Sequence, residues 1–155
     1  MVALFWVSCA IVAYVYLGYP ALLALWARLR PLPAPLLPSE RPGVSIVIAA
    51  RNEGSRLAPR LDNLLQLEYP SMRRQIIVVS DGSTDDTLDV LAPYRDVVDV
   101  ISIPPSGKAI ALNAGVAAAR NELIVFADAR QVFAPDALRE LTAPFGATLL
   151  TELPL

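Results

Sequence analysis

Four short stretches of the 155-residue chain place polar groups directly after apolar runs. They are Ala50-Arg51-Asn52-Glu53-Gly54, Asp81-Gly82-Ser83-Thr84-Asp85-Asp86, Gly107-Lys108 and Asp128-Ala129-Arg130. A carboxylate at the end of a strand can accept hydrogen bonds from a base or a ribose, and another can hold a divalent cation that neutralises a diphosphate. Lys108 is the only lysine, and it follows Gly107 at a predicted helix start, where its charge and free backbone N–H groups suit an anion. Each motif also has a purely structural reading. Asp81-Gly82 reads as turn punctuation, Asp85 and Asp86 as helix-start residues, Asn52-Glu53-Gly54 as a loop with a cap, and Arg73, Arg74 and Arg120 as solvated surface.

Other chemistries are excluded. With no histidine and one cysteine, Cys9, the chain has no zinc finger, no His-based metal site, no Ser-His or Cys-His nucleophile and no disulfide framework. Net charge is −2, and beyond Arg30 acidic residues outnumber basic ones, so no electrostatic footprint for nucleic acid exists. A Walker A loop ending at Gly107-Lys108 fails at Ser102 and Ala109, no GxGxxG follows a strand, and the acidic cluster lacks the ligand spacing of a calcium loop.

The elements that must position these residues alternate. Val44–Ala49, Gln75–Ser80, Val97–Ile103 and Glu122–Ala127 are nearly continuous apolar runs, the pattern of strands covered on both faces in a parallel sheet. Leu57, Leu61, Leu64 and Leu65 form one helical face after a Gly54-Ser55 start, with Pro59 expected in the first turn. Ser83 or Thr84 is expected to cap the next helix, with Asp85 and Asp86 in its first turn. Further helices are predicted from Lys108 to Arg120 and from Pro135 to about Thr142. The order βαβαβαβα specifies a three-layer α/β sandwich with a mostly parallel sheet. In such sheets ligands bind beyond the carboxyl ends of the strands, where the four polar stretches stand.

Hydrophobic residues make up 55% of the chain, and the excess lies at the N-terminus. Residues 1–27 contain no charged group, enough for a helix of roughly 40 Å against a hydrocarbon core of ~30 Å. No basic residue precedes this run, so it reads as a retained transmembrane helix rather than a signal peptide. Arg28, Arg30 and Arg41 follow it, which places the remainder on the cytoplasmic side of an inner or plasma membrane. Residues 28–42 are proline-rich and read as a semi-rigid juxtamembrane linker.

Taken in order, VSIVIAARNEG, IIVVSDGSTDDT, GKAIALNAG and LIVFADAR resemble the front half of a family-2 glycosyltransferase, over Val44 to about Leu141. Membrane-attached processive members, such as cellulose, chitin, hyaluronan and poly-N-acetylglucosamine synthases, commonly carry an N-terminal span of this kind. The resemblance implies an incomplete GT-A nucleotide-diphospho-sugar fold, with residues 43–155 as its donor-binding part. It implies that Arg51, Glu53 and Asp81 hold the base of a nucleoside diphosphate sugar, a UDP-sugar in most such enzymes. It also implies that Asp128 contacts ribose and the Mg²⁺ or Mn²⁺ bridging the diphosphate, and that Lys108 lies near the nucleotide.

Two positions depart from the pattern: Arg51 replaces an aromatic residue, and Arg130 replaces the second carboxylate of a DxD motif, where it can offset phosphate charge. The acceptor site, the general-base aspartate and the QxxRW motif of the family's later half have no counterpart up to Leu155, and the Gly146–Leu150 tail has no place in the pattern, as truncation or a shifted frame would leave it. The expectation is a membrane-anchored donor-binding half that serves a glycan or lipid-linked acceptor and does not transfer sugar by itself. Two other readings stay open: a non-catalytic nucleotide-binding or interaction module acting with a partner subunit, and a receiver-like phosphoacceptor domain. The second would need an acidic pair after the first strand and a lysine after a later one.

Overall fold

The computed structural model describes residues 2–29 and 41–149, with side chains described as far as Phe145. Most of the proline-rich stretch, residues 30–40, and the last six residues lie outside the described residues. The chain falls into two compact units, one holding the N-terminal helix and the other everything from the first strand onward.

The first unit is a single helix, α1 (Val2–Leu29), of 28 residues. At ~1.5 Å per residue it is longer than the ~30 Å hydrocarbon core. Its middle turn, Tyr14–Gly18, is widened to π geometry, with the Tyr19 N–H bonded to the Tyr14 carbonyl. Pro20 follows at once, and its ring would collide with a carbonyl four residues back in a regular helix, so the widened turn gives that ring room. No side chain of the flanking helical segments is buried.

The second unit is built on four parallel strands, β1 (Val44–Ala50), β2 (Arg74–Asp81), β3 (Asp99–Ile103) and β4 (Leu123–Ala127), in the order β3-β2-β1-β4. All pairings are parallel: Ile46 faces Ile76 on one side and Val125 on the other, and Asp81 at the end of β2 faces Ile103. The helices are α2 (Gly54–Leu65), α3 (Thr87–Leu91), α4 (Lys108–Ala117) and α5 (Ala137–Leu149). Val44, Ile46 and Ile48 pack with Leu57, Leu61 and Leu64 of α2, Leu91 of α3 and Leu138 of α5 on one face of the sheet. Val47, Ile77 and Val79 meet Ala111 of α4 on the other. This is the expected three-layer sandwich. Helix α4 lies so close to the sheet that a Cβ on Gly115 would come within 2.3 Å of Val47 Cγ1.

Several element ends differ from the sequence-based expectation, each for a local reason. Strand β3 starts at Asp99, two residues late, because the N–H groups of Val97 and Val98 are both bonded to the Tyr94 carbonyl. Pro59 sits in the second turn of α2, not the first, and the helical carbonyl that its missing N–H cannot serve belongs to Ser55, an exposed residue open to solvent. Neither Ser83 nor Thr84 caps α3: the Asp85 carboxylate accepts the Thr87 N–H at 3.1 Å. Helix α4 stops at Ala117 because the Arg120 N–H turns away to Gln75 Oε1, at 2.8 Å. Helix α5 continues past Thr142 and through Pro144.

Gln75 organises the amino-terminal edge of the sheet. It accepts from Ser45 Oγ at 2.6 Å and donates to Asp99 at 2.7 Å and to the Ala118 carbonyl at 3.1 Å. Asn121 in turn bonds Ser45 Oγ, so β1, β2, β3 and the end of α4 share one buried polar cluster. Gln75→Leu strands the Ser45 hydroxyl proton and the Arg120 N–H, and the expected cost is about 1–3 kcal/mol. Urea unfolding of the full chain should show a lower midpoint at an unchanged slope; an unchanged midpoint would mean that the cluster contributes nothing to stability.

Candidate functional site

Because the strands run parallel, their carboxyl ends open on one edge, and the chain reverses direction across the sheet between β1 and β4. A cleft of about 270 Å³ opens on that edge. It is lined by Arg51, Glu53, Asp81, Lys108 and Asp128, with the small residues Ala49, Ala50, Gly107 and Ala129 between them. Five of the six residues expected to bind nucleotide sugar therefore share one cavity. The sixth, Arg130, lines the adjoining hollow and reaches the cleft wall through Glu53, at 2.9 Å.

The loops after β1 and β2 are clasped together. Asn52 takes the left-handed conformation, φ 55°, which Asn tolerates better than most residues. In that pose its N–H donates to Ser83 Oγ at 3.2 Å and its Oδ1 accepts from the Thr84 N–H at 2.8 Å. The Glu53 N–H bonds Thr87 Oγ1 and the Gly54 N–H bonds Asp85 Oδ2, so the starts of α2 and α3 are tied to each other. Gly82, at φ 59°, is required where it stands: a Cβ there would lie 2.6 Å from the backbone nitrogen of Pro105. Asn52, Ser83 and Thr84 were not predicted as site residues. Asn and Ser beside the acidic groups are the signal for such side-chain-to-backbone clasps.

Asp81 is buried, with 4% of its surface exposed. Its Oδ1 accepts the Ser106 N–H at 2.6 Å and its Oδ2 the Gly107 N–H at 3.0 Å, which fastens the β3–α4 loop to the end of β2 and sets the start of α4. Lys108, the first residue of α4, then points its Nζ at Asp128 Oδ2, 3.5 Å away. Asp128 Oδ1 accepts the Arg130 N–H at 3.0 Å.

Glu53 lies between two guanidinium groups, Arg56 at 2.7 Å and Arg130 at 2.9 Å. The Arg56 hydrogen bond, then that of Arg130, holds the Glu53 carboxyl below its ordinary pKa, and the same pair raises that of Arg130. The Arg130 backbone N–H, assisted by Lys108, lowers that of Asp128, and the Thr87 hydroxyl lowers that of Asp85. Lowered carboxylate values mean that these groups contribute stability above the ordinary carboxylate range and lose it as pH falls through their folded-state values. The strand-end loops are accordingly expected to loosen only in acid, measurable by amide hydrogen exchange against pH.

Among the described residues no group of three or more His, Cys, Asp or Glu side chains is arranged to hold a metal ion. The carboxylate that suits a cation drawing its other ligands from substrate is Asp128, which faces the cleft, is 43% exposed and is held below its ordinary pKa; Mg²⁺ or Mn²⁺ is commonly held by one or two carboxylates with substrate phosphates supplying further oxygens.

The sequence profile described as "Glycosyl transferase family 2" matches residues 45–149. The chain belongs to glycosyl transferase family 2. The match runs to residue 149, past the expected limit near Leu141, so Gly146–Leu149 do have a place in the family pattern and follow it as the end of α5. The phosphoacceptor reading falls with this assignment, and Lys108 pairing with Asp128 from the start of a helix agrees.

Similar proteins include a probable glycosyltransferase, YdaM, of Bacillus subtilis, 38% identical over 97 residues, covering 58% of this chain and 23% of the relative. A poly-beta-1,6-N-acetyl-D-glucosamine synthase of Staphylococcus epidermidis is 34% identical over 61% of this chain and 23% of its own length. The beta-monoglucosyldiacylglycerol synthase of a Nostoc strain is 33% identical over 67% and 24%. The chain thus spans about a quarter of the length of these relatives. Among solved structures, the mannosyltransferase PcManGT from Pyrobaculum calidifontis, in complex with GDP-Man and Mn²⁺, matches at TM-score 0.68 and 25% identity, over 86% of this chain and 42% of that one. The glucosyl-3-phosphoglycerate synthase from Mycobacterium tuberculosis, with Mn²⁺ and UDP, matches at 0.55 and 25%, over 67% and 39%. The fold is GT-A, and these neighbours carry a divalent cation with their nucleotides.

Proposed function

We propose that residues 43–155 form the donor-binding part of a membrane-anchored glycosyltransferase that takes a sugar from a UDP-sugar and serves a glycan or lipid-linked acceptor. The observation that carries this reading is the convergence of Arg51, Glu53, Asp81, Lys108 and Asp128 on one cleft in a family-2 chain. The choice of uridine rests on the glucosyl-3-phosphoglycerate synthase neighbour, which is solved with UDP. In this reading Asp81 keeps lone pairs beyond those used by Ser106 and Gly107, and these accept from the base. Arg51 lies flat against the base in place of an aromatic ring. Glu53 is held rigid by Arg56 and Arg130 at the cleft wall, and Asp128 reaches the ribose and a divalent cation. That cation, when bound, neutralises the diphosphate leaving group. Lys108 and Arg130 add fixed positive charge beside it.

Neither Glu53 nor Asp128 suits the general-base role, because cationic and N–H partners hold both below the ordinary carboxylate pKa. Asp81 is committed to two backbone N–H groups. The base that deprotonates an acceptor hydroxyl is therefore expected outside the described residues. The purified chain should bind UDP with Mn²⁺ by calorimetry yet release no sugar to acceptors from UDP-N-acetylglucosamine or UDP-glucose. Failure to bind UDP would overturn the donor-site reading, whereas turnover that disappears in Asp128→Asn would overturn the inactivity of the chain alone.

Helix α1 (Val2–Leu29) is long and apolar enough to cross a membrane, and its apolar stretch is exposed. We assign it as the anchor, with 28–42, whose first two residues are still helical, as the linker and the α/β unit on the cytoplasmic side, in line with the arginines that follow the apolar run. Protease accessibility in inside-out vesicles, with cleavage in the α/β unit, would support this orientation, and protection there would reverse it.

A further inference from the structure

Beside the cleft lies a second hollow of about 290 Å³, walled by α2 and the loop that follows β4. Ala129 lines both cavities, and the Glu53 pairs with Arg56 and Arg130 stand between them. Arg60 lies at its floor, 2% exposed, whereas its neighbours Pro59 and Val132 are exposed.

Arg60 is the unexplained group. Its Nη1 donates to Asn63 Oδ1 at 2.8 Å and its guanidinium stacks over the Phe133 ring at 4.2 Å. Its Nε and Nη2 are buried with no hydrogen-bond partner. A buried cation short of acceptors costs far more than an apolar residue of the same volume, and such groups in folded proteins commonly mark an unfilled partner. Asn63 also bonds both the N–H and the carbonyl of Phe133, so the pose of Arg60 is built from two elements and is not a loose side chain. Arg56, Arg60 and Arg130 stand against two acids, Glu53, which the first and last share, and Asp128, whose charge reaches Arg60, so the hollow keeps an excess of positive charge among aliphatic surfaces.

We infer that this hollow is an anion subsite, taking the phosphate or carboxylate end of a molecule whose apolar part lies against Pro59 and Val132, with Arg60 as its principal partner. The hollow adjoins the nucleotide cleft, sharing Ala129 and the Glu53–Arg130 pair with it, but Arg60 lines only the hollow. A forked, permanently charged guanidinium suits a planar or tetrahedral oxyanion better than an ammonium does.

The test uses the full chain in a neutral maltoside detergent, titrated with hexyl phosphate, inorganic phosphate and hexanol and followed by calorimetry and ³¹P line broadening. Hexyl phosphate is expected to bind about tenfold more tightly than inorganic phosphate, the effect of roughly two buried methylenes, and hexanol not at all. Saturating UDP should not displace hexyl phosphate, because Arg60 does not line the cleft. Arg60→Met should weaken hexyl phosphate binding by about tenfold or more with the melting temperature of the free protein unchanged or raised, and Arg60→Lys should retain part of the binding. Dioctanoyl phosphatidic acid binding more tightly than hexyl phosphate would identify a lipid headgroup, and equal or weaker binding a soluble phosphate ester. No binding of hexyl phosphate at about 10 mM, competition by UDP, or an Arg60→Met variant that binds like the parent would each overturn the subsite. So would Arg60→Lys binding as poorly as Arg60→Met.

Discussion

Asp81→Asn is expected to weaken UDP binding by about tenfold or more and to destabilise the fold by about 1–3 kcal/mol. Both effects follow from the two N–H groups that converge on this carboxylate. An asparagine keeps one acceptor oxygen but turns an NH₂ group toward a backbone N–H, donor against donor, in a site with almost no access to water. The β3–α4 segment then loses its tether, and Lys108, which opens α4, no longer has a fixed bearing on Asp128. Calorimetry with UDP and urea unfolding should change together. Binding lost at full stability would show that Asp81 acts on the nucleotide alone, and stability lost with intact binding would confine it to the loop.

The second large effect is expected at Asp128. Asp128→Asn should abolish the enhancement of UDP binding by Mn²⁺, because it removes the anionic oxygen that faces the cleft while preserving shape. The Arg130 N–H that Asp128 accepts can still bond the amide oxygen, so the melting temperature should shift little. The pH dependence has a definite sign. The Arg130 N–H and Lys108 hold the Asp128 carboxyl below its ordinary value, so the carboxylate is present throughout the neutral range. Apart from proton uptake by the terminal phosphate of UDP itself at about pH 6, metal-dependent binding should fall only below the usual carboxylate range, as Asp128 takes up its proton. A fall at about pH 6 larger than the proton uptake of UDP itself produces would assign the metal to a different ligand set. Metal-enhanced binding that survives in Asp128→Asn would do the same.

Much of this was legible before folding because the relevant signals are local. Four near-continuous apolar runs specify strands covered on both faces, and a polar cluster after a run identifies its functional end without knowledge of its neighbours. The ends of elements were less legible. Val97 and Val98 favour a strand by type, yet their N–H groups are taken by Tyr94, and Arg120 leaves its helix for Gln75, a partner 45 residues away. Nothing in the local sequence singles out Arg60 on α2. Only the packing of the post-β4 loop, through Phe133 and Asn63, turns it into a buried cation.

The amino-acid sequence by itself determined the kinds of element, the parallel sheet, the apolar N-terminal helix and the residues presented at the strand ends, since each follows from hydrophobic patterning along the chain and the order of the runs. Tertiary structure decided that β4 pairs with β1 and so brings Asp128 to Lys108 across 20 residues and Arg130 to Glu53 across 77. It also decided that Asn52 clasps the next loop and that Asp81 spends its oxygens on the backbone. Which edge of a sheet a strand joins depends on where its crossover helix finds apolar surface to cover, and no stretch of sequence short enough to read locally contains that choice.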